Sequence, residues 1–275
     1  LVMQKLVLMC LFILVACTTT PSPQDGIEDH KKLIEISDLY AAGHEQLESV
    51  LMTQPALGKM LDSNLAATLI ITLIIEYDDG EKERVQQSGS FILNGEYILT
   101  AGHGFFVDSG KLIDLEAQTI SRQKLDLNVV MLRKSKDYYS IQDWAILQPV
   151  NPRRTKSLEI RSAKYTGKDA YILGFPGGMA LNDSNWVVHA LEVDEGSVYP
   201  LAVICERSLT RPGILTPKVG AIPVQGMSGA PVLSESGQLI GLFSSISRTR
   251  NVAGWQYIFH MSDLPFETLD SLLRK

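Results

Sequence analysis

From Leu65 onward the chain is a succession of short β-rich runs, each closed by Gly, Asn, Asp or Pro, with no amphipathic helix between consecutive runs. Parallel sheets need long crossover connections, usually helical. Their absence restricts this region to antiparallel strands in an all-β sandwich or barrel, both of which remain open on pattern alone. Strands are expected at residues 68–77, 89–93, 97–100, 127–132, 144–147, 169–173, 186–193, 202–205, 231–233, 239–244 and 255–259. Asn94-Gly95 is a strong hairpin signal between the second and third of these.

The segment before Leu65 reads differently. Residues 27–62 are expected to be mostly helical: Leu33, Ile36, Leu39 and Tyr40, then Leu47, Val50 and Leu51, then Leu57, Met60 and Leu61, recur at three- and four-residue spacing. Pro55 breaks or kinks this helix. A short helix is also expected over 263–274, packing through Leu264, Phe266, Leu269 and Leu272.

At the very start, Lys5 precedes an unbroken apolar run, residues 6–16. The run is about half the roughly 20 residues that a membrane-spanning helix needs. It suits the apolar core of a secretory signal instead. It ends Leu14-Val15-Ala16-Cys17, which resembles the bacterial lipobox. That resemblance implies lipid attachment at Cys17, removal of residues 1–16 as a signal peptide, and a tether from Cys17 into the helical segment, to residue 62. The protein would then be anchored to a bacterial membrane by its N-terminal lipid, with its folded part on the periplasmic or extracellular side. Of the three cysteines, Cys10 would leave with the signal and Cys17 carry lipid, so Cys205 has no partner for a disulfide.

The formal net charge of -6 and pI near 5.4 supply no electrostatic case for nucleic acid as a partner. No cofactor is called for. A metal site is not expected either, because there is no Cys-x-x-Cys or His-Glu-x-x-His and the five histidines are scattered.

Three short motifs carry chemistry, in the order His, Asp, Ser. A serine hydroxyl needs a neighbouring imidazole to take its proton, and that imidazole needs a buried acid to fix its tautomer and stabilise the cation. Ser228 lies between Gly226 and Gly229. A loop tight enough to aim backbone amides at a developing oxyanion wants glycine's freedom in φ, so the amides of Gly226 and Ser228 are the candidate oxyanion hole. His103 ends the strand-like run Tyr97-Ile98-Leu99-Thr100-Ala101 beside small Gly102 and Gly104. Asp143 heads the apolar run Trp144-Ala145-Ile146-Leu147, where a carboxylate needs a partner against its desolvation. Asp137 is a spare candidate for the acid. His30 and His44 are most economically solvent-facing, and neither His189 nor His260 has a comparable setting.

Together these motifs resemble the trypsin-like, chymotrypsin-fold serine peptidases, in particular the bacterial HtrA and glutamyl-endopeptidase relatives. Ser88-Gly89-Ser90-Phe91 looks like that family's Gly-Ser-Gly-Phe segment. Gly174-Phe175-Pro176-Gly177-Gly178 looks like its mid-domain Gly-Tyr-Pro-Gly turn, and residues 239–244 look like the strand after the nucleophile. The resemblance implies two packed six-stranded antiparallel barrels, about 63–155 and 156–265 within a domain over 63–275. His103 and Asp143 would come from the first barrel and Ser228 from the second. It implies a serine endopeptidase acting on protein or peptide substrates; the alternative is a catalytically silent peptidase-fold protein that binds or scaffolds envelope partners.

Two departures stand out. Met227 occupies the position where zymogen-activated members carry an aspartate, and Ala230 replaces the commoner second glycine. Counting back from Ser228 puts Ile222 near the base of the specificity pocket, or simply packed under the loop, with Ser244 and Ile246 along the wall. An uncharged base disfavours Lys or Arg in the substrate, and Ile246 would favour small or modest apolar side chains.

Overall fold

The computed structural model describes residues 49–107, 109–134, 142–161, 165–175, 201–211, 213–219, 226–251 and 254–274. Six strands, β1 (Thr68–Tyr77), β2 (Lys82–Ile92), β3 (Tyr97–Thr100), β4 (Gly110–Thr119), β5 (Lys124–Lys134) and β6 (Asp143–Pro149), close into one antiparallel barrel. Six more, β7 (Asp169–Gly174), β8 (Leu201–Arg207), β9 (Ile214–Val219), β10 (Pro231–Leu233), β11 (Leu239–Asn251) and β12 (Gly254–Ser262), close into a second. Going round each barrel, the first three strands run in order and the last three return in reverse, so both have one topology.

The period-2 pattern explains how β1 sits in its barrel. Leu69, Ile71, Leu73 and Ile75 alternate along the strand and are completely or almost completely buried. One apolar cluster runs from Leu69, Ile71 and Leu73 of β1 and Ile98, Leu99 and Ile146 of barrel 1 to Leu173, Leu233 and Leu239 of barrel 2. The same cluster takes in Leu264, Leu269 and Leu272 at the C-terminal helix α2 (Phe266–Leu273). Phe266, expected on the packing face, is exposed instead because it begins the helix. A second cluster fills barrel 2 around Ile172, Val203, Met227, Phe243 and Phe259.

Ahead of the barrels, residues 49–53 are helical and the helix restarts as α1 (Pro55–Leu65), with Pro55 at its first turn. Proline lacks an N–H but can begin a helix, where that group would be unpaired anyway. Leu61 of α1 is buried in the larger cluster, Leu57 and Met60 pack against it, and Asn64 Nδ2 donates to Gly237 O at 3.3 Å.

The Asn94-Gly95 turn joins β2 and β3 with φ of 59° and 86°. Two strands absent from the sequence expectations, β4 and β9, each carry an irregularity that spoils their alternation. In β4 the pairing steps from Ile74↔Asp114 to Ile75↔Leu112, leaving Ile113 as an extra, exposed residue. In β9 the shift falls between Ile204↔Val219 and Cys205↔Pro217, so Pro217 sits where the ladder is already interrupted. The expected strand at 186–193 lies outside the described residues.

Phe259 is fully buried in barrel 2 and meets the ring of Phe243 edge-on, with centroids 5.8 Å apart. Phe259→Ala is expected to lower the unfolding free energy by about 3–5 kcal/mol, read as a lower midpoint in urea at unchanged m-value.

Candidate active site

Gly102 allows β3 to run into a tight turn over the start of β6. A Cβ at this position would lie 2.2 Å from Arg133 O and 2.8 Å from Trp144 O. Close approach by glycine brings two successive amides onto one carboxylate oxygen: Gly102 N and His103 N donate to Asp143 Oδ1 at 3.0 and 2.7 Å. The other oxygen, Oδ2, is 2.7 Å from His103 Nδ1. Ionised Asp143 only accepts, so Nδ1 carries the hydrogen and Nε2 of the neutral ring keeps its lone pair.

Barrel 2 completes the carboxylate's shell. A bulge in β11 falls between Phe243 and Ser245 and re-aims Ser244, whose Oγ donates to Asp143 Oδ2 at 2.5 Å. Ser262, at the end of β12, accepts the Asp143 backbone N–H at 2.9 Å. Burial pushes the Asp143 carboxyl up. The hydrogen bond and positive charge of His103, with the bonds from Ser244 and the His103 amide, outweigh it and hold the carboxyl below the usual carboxylate range.

Ser228 sits in a turn in which Ala230 N donates to Met227 O at 2.9 Å and Gly229 N to Phe243 O at 2.7 Å. Gly226 and Gly229 have φ of 96° and 81°, values that residues with a Cβ rarely adopt. A Cβ on Gly229 would also lie 2.3 Å from Ser88 O and 2.5 Å from Ala101 N, so this glycine lets the turn reach barrel 1. Met227 is fully buried in the barrel 2 cluster, an apolar anchor directly before Ser228.

The structure therefore joins His103 to Asp143 directly. Ser228 reaches the pair through Ser244: its Oγ lies 3.4 Å from Ser244 O and donates there, and it makes no hydrogen bond to the His103 ring. Among the described residues, the amides of Gly226 and Ser228 donate to no acceptor. Ser244, read from the sequence as pocket wall, has its hydroxyl on the carboxylate. Ile246 packs partly buried against the barrel 2 cluster. Ile222, Asp137, His189 and Cys17 lie outside the described residues. His260 Nε2 is 2.8 Å from Ser247 Oγ, and burial lowers its pKa. Cys205 is fully buried, which pushes its thiol well above the ordinary range. Among the described residues, no group of three His, Cys, Asp or Glu could hold a metal ion.

Polar residues not singled out as site residues by the sequence converge under the site. Gln87 Nε2 donates to Thr100 Oγ1 at 3.0 Å and to Ala101 O at 3.2 Å, and Thr100 Oγ1 donates to Ser88 O at 2.6 Å. A buried polar residue in a strand has to find such partners. Gln87 and Ser88 lie in a polar run, Gln86-Gln87-Ser88-Gly89-Ser90, and Thr100 follows an apolar one, and neither pattern says which partners they find.

The family model of the trypsin-like peptidase domain matches residues 87–242, more than half of the chain. The protein belongs to the trypsin-like peptidase family, and its paired barrels are the fold of that family. Membership implies a serine-type peptidase with protein or peptide substrates. No curated protein matches the chain.

Because its folded pKa is depressed, Asp143 stabilises the fold in full above the unfolded value of about 3.9, and that contribution is lost as pH falls through the lower folded value. The stability gap between wild type and Asp143→Asn is expected to shrink below about pH 4, measured by urea unfolding at stepped pH.

Proposed function

We propose that this protein is a lipid-anchored serine endopeptidase of the bacterial cell envelope, with Ser228 as nucleophile, His103 as base and then acid, and Asp143 as the orienting carboxylate. The observation that carries the reading is the buried Asp143 carboxylate, hydrogen-bonded to His103 Nδ1 so that Nε2 is left as the basic atom. In this reading the Ser228 hydroxyl turns from Ser244 O to Nε2 when substrate is bound. Ser228 Oγ then attacks the peptide carbonyl carbon while its proton passes to Nε2. The carbonyl oxygen takes the negative charge, and the Gly226 and Ser228 amides donate to it. His103 returns the proton to the departing amine as the C–N bond breaks, leaving an acyl-enzyme. Water, deprotonated by His103, attacks the ester and releases the acid and the free serine.

The residues read from the sequence as the specificity pocket, Ile222, Ser244 and Ile246, carry no charge, which suits small or modest apolar side chains. The turn stands on the burial of Met227 and calls for no ion pair to a new N-terminus. Leu14-Val15-Ala16-Cys17 supports lipid attachment at Cys17.

A second reading, a silent peptidase-fold protein that binds an envelope partner, is favoured by one feature: the Ser228 hydroxyl donates to Ser244 O and not to His103. Fluorophosphonate labelling separates the two, because it requires both a reactive serine and a formed oxyanion hole. Wild-type protein is expected to be labelled and to cleave casein. Ser228→Ala should lose labelling and lower cleavage at least about a thousandfold; cleavage that persists in this variant removes the assignment. Cys17→Ser is expected to abolish incorporation of labelled palmitate and leave the chain at its unprocessed size, checked by metabolic labelling and gel mobility.

A further inference from the structure

We infer that the side chain of Ser88 is a positioning residue for the amides proposed to bind the oxyanion, an inference that rests on the peptidase reading. Ser88 belongs to barrel 1 and is fully buried, yet its side-chain hydroxyl makes its contacts across to barrel 2. Its N–H donates to Ser228 O at 2.8 Å. Its Oγ donates to Gly226 O at 2.9 Å, accepts from Phe175 N at 2.9 Å, and lies 3.3 Å from Phe175 O. The carbonyls of residues 226 and 228 are thus both held by Ser88, and the carbonyl between them, Met227 O, is held by Ala230 N.

In a trans peptide the N–H points opposite to the carbonyl of the same unit. With Met227 O turned in toward Ala230, the Ser228 N–H must point out of the turn. Gly226 is the soft joint beside it. At φ of 96° it occupies a region where glycine has several accessible conformations; its N–H belongs to the peptide before it and its carbonyl to the peptide after it, so holding that carbonyl fixes one of the two units the joint connects. Among the described residues, the side chain on that carbonyl is Ser88 alone.

The space for this hydroxyl is specific. A Cβ on Gly174 would lie 2.9 Å from Ser88 Oγ and 2.7 Å from the Ala230 methyl, so a glycine there leaves room for the contact. In the Gly-Ser-Gly-Phe segment that residues 88–91 resemble, position 88 corresponds to glycine, which has no hydroxyl to offer. Ser90, two residues along the same strand and equally buried, supplies a control, because its Oγ has no hydrogen-bond partner among the described residues.

The test uses the full-length chain in detergent, with Ser88→Gly, Ser88→Ala and Ser90→Ala compared with wild type. The readouts are the second-order rate of fluorophosphonate labelling, normalised to the folded fraction by near-ultraviolet circular dichroism, and kcat and KM on casein. Both Ser88 variants are expected to label about 10- to 100-fold more slowly, in the range of a misplaced catalytic group. kcat should fall to match while KM and the acidic limb of the pH profile stay put, because the His103–Asp143 pair is untouched. Ser90→Ala should behave as wild type. A purely structural role would lower the folded fraction and leave the normalised rate unchanged. A rate within twofold of wild type in either folded Ser88 variant overturns the inference and leaves the peptidase reading intact. Wild-type protein that neither labels nor cleaves overturns both.

Discussion

A carboxylate closed off from water beneath a histidine is the constraint around which the two barrels are arranged. An ionised Asp143 without partners would be very costly to bury. It is met by two amides and a ring N–H from barrel 1, and by the Ser244 hydroxyl from barrel 2. Removing one partner from a buried, charged group is destabilising because the remaining charge is left uncompensated. The barrels therefore have an electrostatic reason, beyond their shared apolar cluster, to keep one relative placement. The tie between Asp143 N and Ser262 fixes the same residue by its backbone.

Strand irregularities do the fine placement. The regular ladder of β11 would alternate side chains strictly between faces, and the bulge at Ser244 departs from that alternation at the residue that must serve two neighbours. Its hydroxyl goes to the acid and its carbonyl to the serine. Gly102 and Gly229 act by what they lack: at both, a side chain would occupy the space of another strand's backbone. The polar seam of Gln87, Ser88 and Thr100 closes the gap between these approaches.

The fold was largely legible because apolar alternation and turn residues mark most strands directly. β1, β3 and β10 have the boundaries expected of them, and the Asn94-Gly95 hairpin forms where its residues require it. β4 and β9 were illegible for a shared reason: each carries an extra residue that breaks the period, and β9 has a proline inside it. The later half of β11, from Ser245 on, is polar and pairs with β12 through its backbone, a signal that side-chain pattern cannot carry. At the site, His103, Asp143 and Ser228 could be picked out because each sits at a strand end or glycine turn. The contacts of Ser244, Ser262 and Ser88 were hidden, because a serine's partners depend on which groups the tertiary fold brings to it.

Met227 anchors a reactive turn by packing, and so ties the motion of that turn to the barrel beneath it. Its side chain is part of the barrel 2 interior, beside Val232, Phe243 and Met261. The residue next to the serine cannot swing away without tearing open that interior, a cooperative event with the free energy of unfolding behind it. The Met227 end of the turn is then as persistent as the barrel, and it melts when the barrel melts.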